Sequence, residues 1–371
     1  MNIAIIGAGP IGSYAGYLLA TAGHTVSIYE NHSQVGLPIQ CTGILTSDFD
    51  EFGLPMDSFL VNTIDAIEVN TPGQHLVVKQ KDYIVCRRRF DNFFADLARN
   101  AGATIFLSHC FIRKEGQNLI IKDSVQGREK SITPEIVIAA DGPLSPTAKA
   151  YGFYHPERKN YYGVQAIVEG NFELHTIKTY FGREVCPGLF AWIAPESATT
   201  ARVGVATLKN SHHYFEKFMR EHHFTAREIQ AGAIPLYHPA QVLHQDNCYL
   251  VGDASGYVKA TTLGGLVPAL KQAQILAECI INGRTYEKAI APVRRTMRLH
   301  LTMHSLFDKF SDKDWDKLVS YVNQPKIQKV FRQYTRDNPF PLVLQSLLKE
   351  PRFLYFSKYL WTKNDNHKAA V

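Results

Sequence analysis

No run of 18 consecutive apolar residues occurs in this chain, so no segment reads as a membrane-spanning helix. Cysteine is sparse. Cys41, Cys86, Cys110, Cys186, Cys248 and Cys279 are scattered and form no C-x-x-C, which argues against a zinc site and a disulfide scaffold and fits a reducing cytoplasm. No internal repeat or low-complexity tract is present. The adjacent pairs His212-His213 and His222-His223 point apart on a helix and read as surface residues rather than metal ligands. Excess charge is missing from most of the chain. The residues before Arg284 hold 23 Lys and Arg against 26 Asp and Glu, and the remainder holds 17 against 8, a local net of +9. That basic end reads either as a solvated helical surface or as attraction to an anionic partner, such as a lipid surface or an acidic electron donor.

Residues 3–30, IAIIGAGPIGSYAGYLLATAGHTVSIYE, combine an apolar strand, a glycine-rich turn, a helix and a second strand ending on an acid. Gly7, Gly9 and Gly12 form G-x-G-x-x-G directly after Ile3-Ala4-Ile5-Ile6. Gly7 serves the tight turn, Gly9 the approach of a pyrophosphate, and Gly12 the packing of helix on strand. The helix N-terminus, with Pro10 and Ile11, offers free N–H groups and a positive dipole end. Glu30, 18 residues past Gly12, stands where a carboxylate accepts from a ribose hydroxyl. The motif begins at residue 3, which leaves no room for a signal peptide ahead of it. Taken alone, it does not separate NAD from FAD.

The pattern further along resolves that choice. Residues 64–70 and 75–79 read as a hairpin around Thr71-Pro72-Gly73, Ile84–Cys86 as a short strand, and Phe90–Ala98 as an amphipathic helix stopping at Gly102. Residues 103–123 and 130–139 read as strands, 160–210 as an antiparallel sheet, 211–231 as a helical excursion, and 265–283 as a long helix. Beyond 285 the pattern is helical, broken by Pro325, Pro339, Pro341 and Pro351. Two more strand-to-turn junctions follow the first: Val137–Ala140 into Asp141-Gly142, and Tyr249–Val251 into Gly252-Asp253. Thr261-Thr262-Leu263-Gly264-Gly265-Leu266 then opens the long helix. Its N-terminus is a second positive end, suited to a reduced, anionic isoalloxazine.

With these three junctions in order, residues 1–285 resemble the FAD-dependent oxidoreductases of the hydroxylase superfamily. Within it the chain is most similar to the geranylgeranyl reductase family, through PIQCTGIL at 38–45, VCRRRFD at 85–91, CPGLFAWIAP at 186–195 and VGDASGYVKATTLGGL at 251–266. The resemblance implies an α/β fold: a Rossmann-like FAD-binding domain (1–63, 80–155 and 245–285), an inserted antiparallel-sheet substrate domain (64–79 and 156–244), and a C-terminal helical region (286–371). It implies FAD bound by the glycine turns together with Cys41, Thr42, Gly43, Arg87, Asp141, Gly142, Gly252, Asp253, Gly264, Gly265 and Leu266. Arg87 would reach the FAD phosphates or ribityl chain. Cys41 would gate or tune the ring or pass a proton; the plain reading of that residue is a small buried hydrophobe.

The family's aromatic segment is similar to Phe190-Ala191-Trp192-Ile193-Ala194-Pro195 followed by Gly204-Val205-Ala206. Trp192 and Pro195 match and Phe190, Ala194 and Ala206 depart, which bears on substrate identity more than on reaction type. Phe190, Trp192 and Pro195 are expected to line an apolar tunnel over the flavin. Where some members carry three glycines, this chain has Leu263-Gly264-Gly265. The implied activity is hydride transfer from flavin to the C=C bonds of an isoprenoid or other apolar lipid, near Cys41, Trp192, Gly264 and Gly265. An external donor, NAD(P)H or ferredoxin-like, would reduce the flavin. The alternative is a flavin monooxygenase or halogenase, since Phe190–Pro195 is a partial echo of a halogenase motif. Aromatic and Leu residues mixed with Lys and Arg near the C-terminus suit either a helical cap or a helix lying on a membrane surface.

Overall fold

The computed structural model describes residues 1–361 apart from Tyr154 and Pro156. Its first layer is a six-stranded sheet in the order His244–Gln245, Cys248–Leu250, Ile136–Ala139, Asn2–Ile6, Thr25–Tyr29, Thr104–Phe106, parallel except for the two-residue edge strand. Helices cover this sheet, and its central strands are apolar on both faces as that requires: Ile3, Ile5, Ile28, Val137 and Ile138 are fully buried. Helix Pro10–Thr21 starts with proline at its first turn, where no N–H is needed, and packs on helices Arg87–Asn100 and Leu266–Asn282. Gly7 adopts φ +103°, and a Cβ on Gly12 would lie 2.2 Å from the Gly7 carbonyl oxygen. The helix can therefore start where it does only if residue 12 has no side chain. Beneath it, Phe49, Phe59, Phe90 and Phe94 form a closed aromatic cluster, each ring contributing roughly 2–3 kcal/mol through burial.

The second layer is an eight-stranded sheet in the order Ala226–Pro235, Asn160–Glu169, Thr200–Thr207, Phe190–Pro195, Thr176–Phe181, Leu60–Asn70, His75–Val85, Ile44–Thr46. Only the Thr176–Phe181/Leu60–Asn70 pairing is parallel. The hairpin is longer than its alternating pattern predicts, because Ile84 and Val85 close its second strand rather than forming a separate one. The 211–231 segment also differs from the helical expectation. Helix Ser211–Glu221 ends at His222, His223 takes φ +55°, and Ala226–Pro235 pairs with the sheet edge offered by Asn160–Glu169. Within 103–132 only Thr104–Phe106 joins the first sheet; His109–Glu115, Asn118–Asp123 and Arg128–Ile132 make a separate three-stranded sheet.

Helices Ala291–Phe307, Asp312–Val322, Pro325–Gln333 and Pro339–Lys349 and the 3₁₀ segment Pro351–Leu360 complete the molecule. The helical stretch is interrupted at Pro325, Pro339 and Pro351 as expected, and each of these prolines starts the next element. Phe310, Trp315 and Phe356 bury this region's own core. No helix among the described residues is long and apolar enough to cross a membrane.

Replacing Gly12 with Ala forces a backbone shift at the first turn. We expect Gly12→Ala to lose about 1–3 kcal/mol of stability, read by denaturant unfolding, whereas Gly9→Ala, whose Cβ meets nothing within 4 Å, should be near neutral in the ligand-free protein.

Candidate active site

One large cavity, about 1070 Å³, runs between the two sheets and under the C-terminal helices. It stands at the upper end of ordinary ligand pockets. Its wall includes Gly7, Gly9, Pro10, Ile11 and Glu30, then Cys41, Thr42, Gly43, Arg87, Asp141, Gly142, Gly252, Asp253, Gly264, Gly265 and Leu266, and also Phe190 and Trp192. Residues more than 240 positions apart in the chain thus share one space. Two expected residues lie off the wall. Gly12 acts on packing as described above, and Pro195 is buried in the sheet with its carbonyl accepting from Asn62 Nδ2 at 2.7 Å.

The acids at the turns differ in what they already hold. Glu30 accepts from the N–H of Ala8 at 2.9 Å and of His32 at 2.9 Å, so it locks the first turn to the second strand. Asp141 accepts from Ser145 Oγ at 2.5 Å and from the Thr147 N–H at 3.0 Å and so organises its own loop. Asp253 is the exception: among the described residues no hydrogen bond reaches its carboxylate, although burial pushes its carboxyl up. It faces the cavity at the foot of Gly265, whose Cβ would lie 3.1 Å from Asp253 Oδ1. Arg87 is bound by its guanidinium to Asp91 through two 3.0 Å bonds one helical turn away. Burial opposes this cation, but the Asp91 carboxylate and then Cys41 hold it firmly protonated.

Cys41 is half-buried on the cavity wall beside Arg87. Its segment is anchored by Arg202, which donates to the carbonyls of Cys41 at 3.0 Å and Thr42 at 3.2 Å and pairs with Glu196 at 2.7 Å. Thr42 Oγ1 donates to Gln165, whose amide donates to Gln230 at 2.7 Å, so a polar chain crosses the sheet floor. Trp192 lies across Gly204 on the next strand, where a Cβ would meet the indole at 2.5 Å. Its indole N–H is buried with no partner among the described residues. Sequence reasoning passed over Arg202, Gln165 and Gln230, which stand in ordinary strand patterns.

It also passed over a charged cluster. Lys259 Nζ lies 2.5 Å from Asp337 Oδ1, both nearly inaccessible, and Thr46 Oγ1 donates to the other Asp337 oxygen at 2.5 Å. Burial works against the Lys259 ammonium and lowers its pKa; burial also works against the Asp337 carboxylate, but there the ammonium prevails and holds it below the usual range. Arg336 pairs with the fully buried Asp82 at 2.7 Å. His300 lies close by, its Nδ1 2.7 Å from Thr261 Oγ1. Burial first, then the nearby ammonium, lower its pKa to about 4. The one signal in the sequence was a lysine inside the apolar run Tyr257-Val258-Lys259-Ala260.

These residues fit a flavin dinucleotide. Open space above Gly9 and Gly142, a helix start at Leu266 without a side-chain cap, and a carboxylate at Asp253 without a hydrogen bond among the described residues share one cavity. Residues 5–49 match the model of an NAD(P)-binding Rossmann-like domain. A digeranylgeranylglycerophospholipid reductase of Methanothermobacter thermautotrophicus is 28% identical over 352 residues, 86% of this chain and 90% of that protein. Another from Methanocaldococcus jannaschii is 28% identical over 87% of this chain and 90% of that protein. The chain is thus similar, over most of its length, to digeranylgeranylglycerophospholipid reductases. In fold it is similar to a geranylgeranyl bacteriochlorophyll reductase-like protein of Thermoplasma acidophilum, with TM-score 0.83 at 20% identity over 97% of this chain and 98% of that one. A myxobacterial chondrochloren halogenase is more distant, at TM-score 0.64 and 15% identity over 93% of this chain and 96% of that one.

In this chain the neutral imidazole of His300 makes stability depend on pH. The unfolded chain takes up a proton near pH 6.5 and the folded one only near pH 4, so stability falls as pH drops through that window. Denaturant unfolding at pH 7 and pH 4 should show wild type losing about 3 kcal/mol more than a His300→Gln variant; equal losses would contradict a buried neutral His300.

Proposed function

We propose that this protein is an FAD-dependent reductase that saturates C=C bonds of an isoprenoid or similarly apolar lipid. One observation carries the reading: a single cavity links the glycine turns of the six-stranded sheet to Leu354 and Leu360, which line it and are also exposed, at 59% and 47%. A polar nucleotide end and a lipid-accessible end thus belong to one space. In this reading the six-stranded layer holds the cofactor, and the eight-stranded sheet and the C-terminal helices enclose the substrate. Leu266 and the N–H groups behind Gly265 would face the ring, Arg87 the phosphates or ribityl chain, and Glu30 the adenosine ribose, where it must yield an oxygen now held by His32.

A flavin bound there, reduced by an external donor such as NAD(P)H or a ferredoxin-like protein, would supply the hydride. The protein's residues orient and dry the alkene. Phe190, Trp192, Phe310 and Trp315 present flat apolar surface along the cavity, which excludes water and leaves an uncharged chain as the favoured occupant. Cys41, with Arg87 beside it on the cavity wall, would pass a proton or gate the ring. Few charged groups meet the apolar stretch, which accords with a substrate that has no charged handle there.

Substrate entry is assigned to the C-terminal helices. Phe340, Leu344 and Leu348 repeat every four residues and are exposed at 48%, 56% and 67%, and Trp361 is 87% exposed. With Lys349, Arg352 and Lys358 nearby, this stripe suits the interface of an anionic lipid bilayer.

Two measurements test the reading. Anaerobically reduced enzyme incubated with geranylgeranyl lipids should yield products heavier by two hydrogens per bond; products that carry oxygen or halogen and form only in air would reject it in favour of a monooxygenase or halogenase. Leu344→Asp with Leu348→Asp should lower sedimentation with anionic vesicles at least tenfold and leave bound flavin unchanged. Undiminished sedimentation would remove the membrane role.

A further inference from the structure

The Lys259–Asp337 ion pair plays no part in the function proposed above. We propose that Lys259, held in place by Asp337, is the cationic group that sets the redox poise of the bound flavin from beneath the Gly264-Gly265 turn. The proposal rests on the flavoprotein reading.

The backbone around Lys259 closes on itself. Its N–H donates to the Gly264 carbonyl at 3.3 Å, and its carbonyl accepts from Thr262 at 3.2 Å and Leu263 at 2.8 Å. The side chain then runs back under the turn. A Cβ on Gly264 would lie 3.0 Å from Lys259 Cε and 3.3 Å from Nζ, so the ammonium is in van der Waals range of the backbone that opens the long helix. Leu263 holds this tight path at φ +53°, a left-handed conformation that costs a residue with a bulky side chain about 1 kcal/mol or more. The turn is maintained against that strain by its own hydrogen bonds and by the anchor at its base.

That anchor comes from far along the chain. Asp337 lies between helices Pro325–Gln333 and Pro339–Lys349 and engages both Lys259 and Thr46, so three separate segments meet at one carboxylate. Lys259 and Asp337 are only 3% and 4% exposed. A buried ion pair is a poor device for stability: well-packed apolar residues in its place are often neutral or stabilising. Its worth here is a fixed positive charge at a defined place. Asp253 Oδ1 lies 3.1 Å from where a Cβ on Gly265 would sit, and Arg336, paired to Asp82, is near enough to Lys259 to act on its charge. Lys259 therefore places its ammonium beside Gly264, 3.3 Å from where a Cβ on that residue would sit, and Asp337 holds it there. A ring lying on Gly264-Gly265 would meet the helix dipole and this ammonium together, and both favour its reduced, anionic form.

The test uses the flavin-loaded full chain and the double variant Lys259→Met/Asp337→Leu, which removes both charges and leaves neither unpaired. Thermal unfolding, flavin content and an anaerobic midpoint titration against a reference dye are measured together. The expected result is an unchanged or higher melting temperature, flavin retained, and the reduced form disfavoured about tenfold, which is ~30 mV lower for a two-electron couple. Lys259→Arg should restore most of the potential. If the first double variant fails to fold, Lys259→Gln/Asp337→Asn, which keeps a hydrogen bond in place of the ion pair, carries the same comparison. A variant that binds flavin with the wild-type potential overturns the proposal and leaves the flavoprotein reading intact. Wild-type protein that binds no flavin overturns both.

Discussion

Charge brought out of water must be met by charge, and this constraint organises the molecule around its cavity. An unpaired buried ion costs several kcal/mol, and Arg87, Arg202, Lys259 and Arg336, at or near the cavity, are each tied to an acid. Arg202 joins the 36–43 loop to the eight-stranded sheet through Glu196. Arg336 brings the C-terminal helices to Asp82 on the long hairpin, and Lys259 brings the glycine turn to Asp337. Arg87 closes on Asp91 within one helix. The pairs that cross between layers define which segments meet rather than adding net stability. The space they frame stays apolar enough for a lipid and polar enough at one end for a dinucleotide.

The glycines do a related job by subtraction. Gly12 admits a helix against a strand, Gly204 admits the Trp192 indole against its neighbour strand, and Gly264 admits a lysine under a turn. In each case the missing side chain lets a bulky or charged group approach the backbone. The G-x-G-x-x-G at the start of the chain is one instance of a device used again at the far end of the site.

Much of this was legible from the residues in order. Strand, glycine turn, helix and acid over 3–30 is a local unit whose spacing carries its meaning, and the two later strand-to-turn junctions could be matched to it. Apolar runs announced the buried parallel strands, and alternation announced the sheet over 160–210. The reading failed where pairing with a distant edge outweighs local pattern. Residues 226–235 hold a strand because Asn160–Glu169 offers an unpaired edge, and Ile84 belongs to the long hairpin because its partner extends to Leu60. Asp337 was illegible for the same reason: nothing near it in the chain marks it as the partner of a lysine 78 residues earlier.

The amino-acid order by itself determined that the chain builds a nucleotide fold with an inserted sheet, and which glycines and acids stand at its turns, because those features depend on neighbours within a few residues. Only the tertiary structure decided that the turns open into one cavity with Trp192 and the C-terminal helices. It alone decided that Asp253 is left unengaged while Glu30 and Asp141 are occupied, and that Lys259 finds Asp337. Those outcomes depend on which distant groups are brought within 3 Å of one another out of water, and no local spacing encodes that.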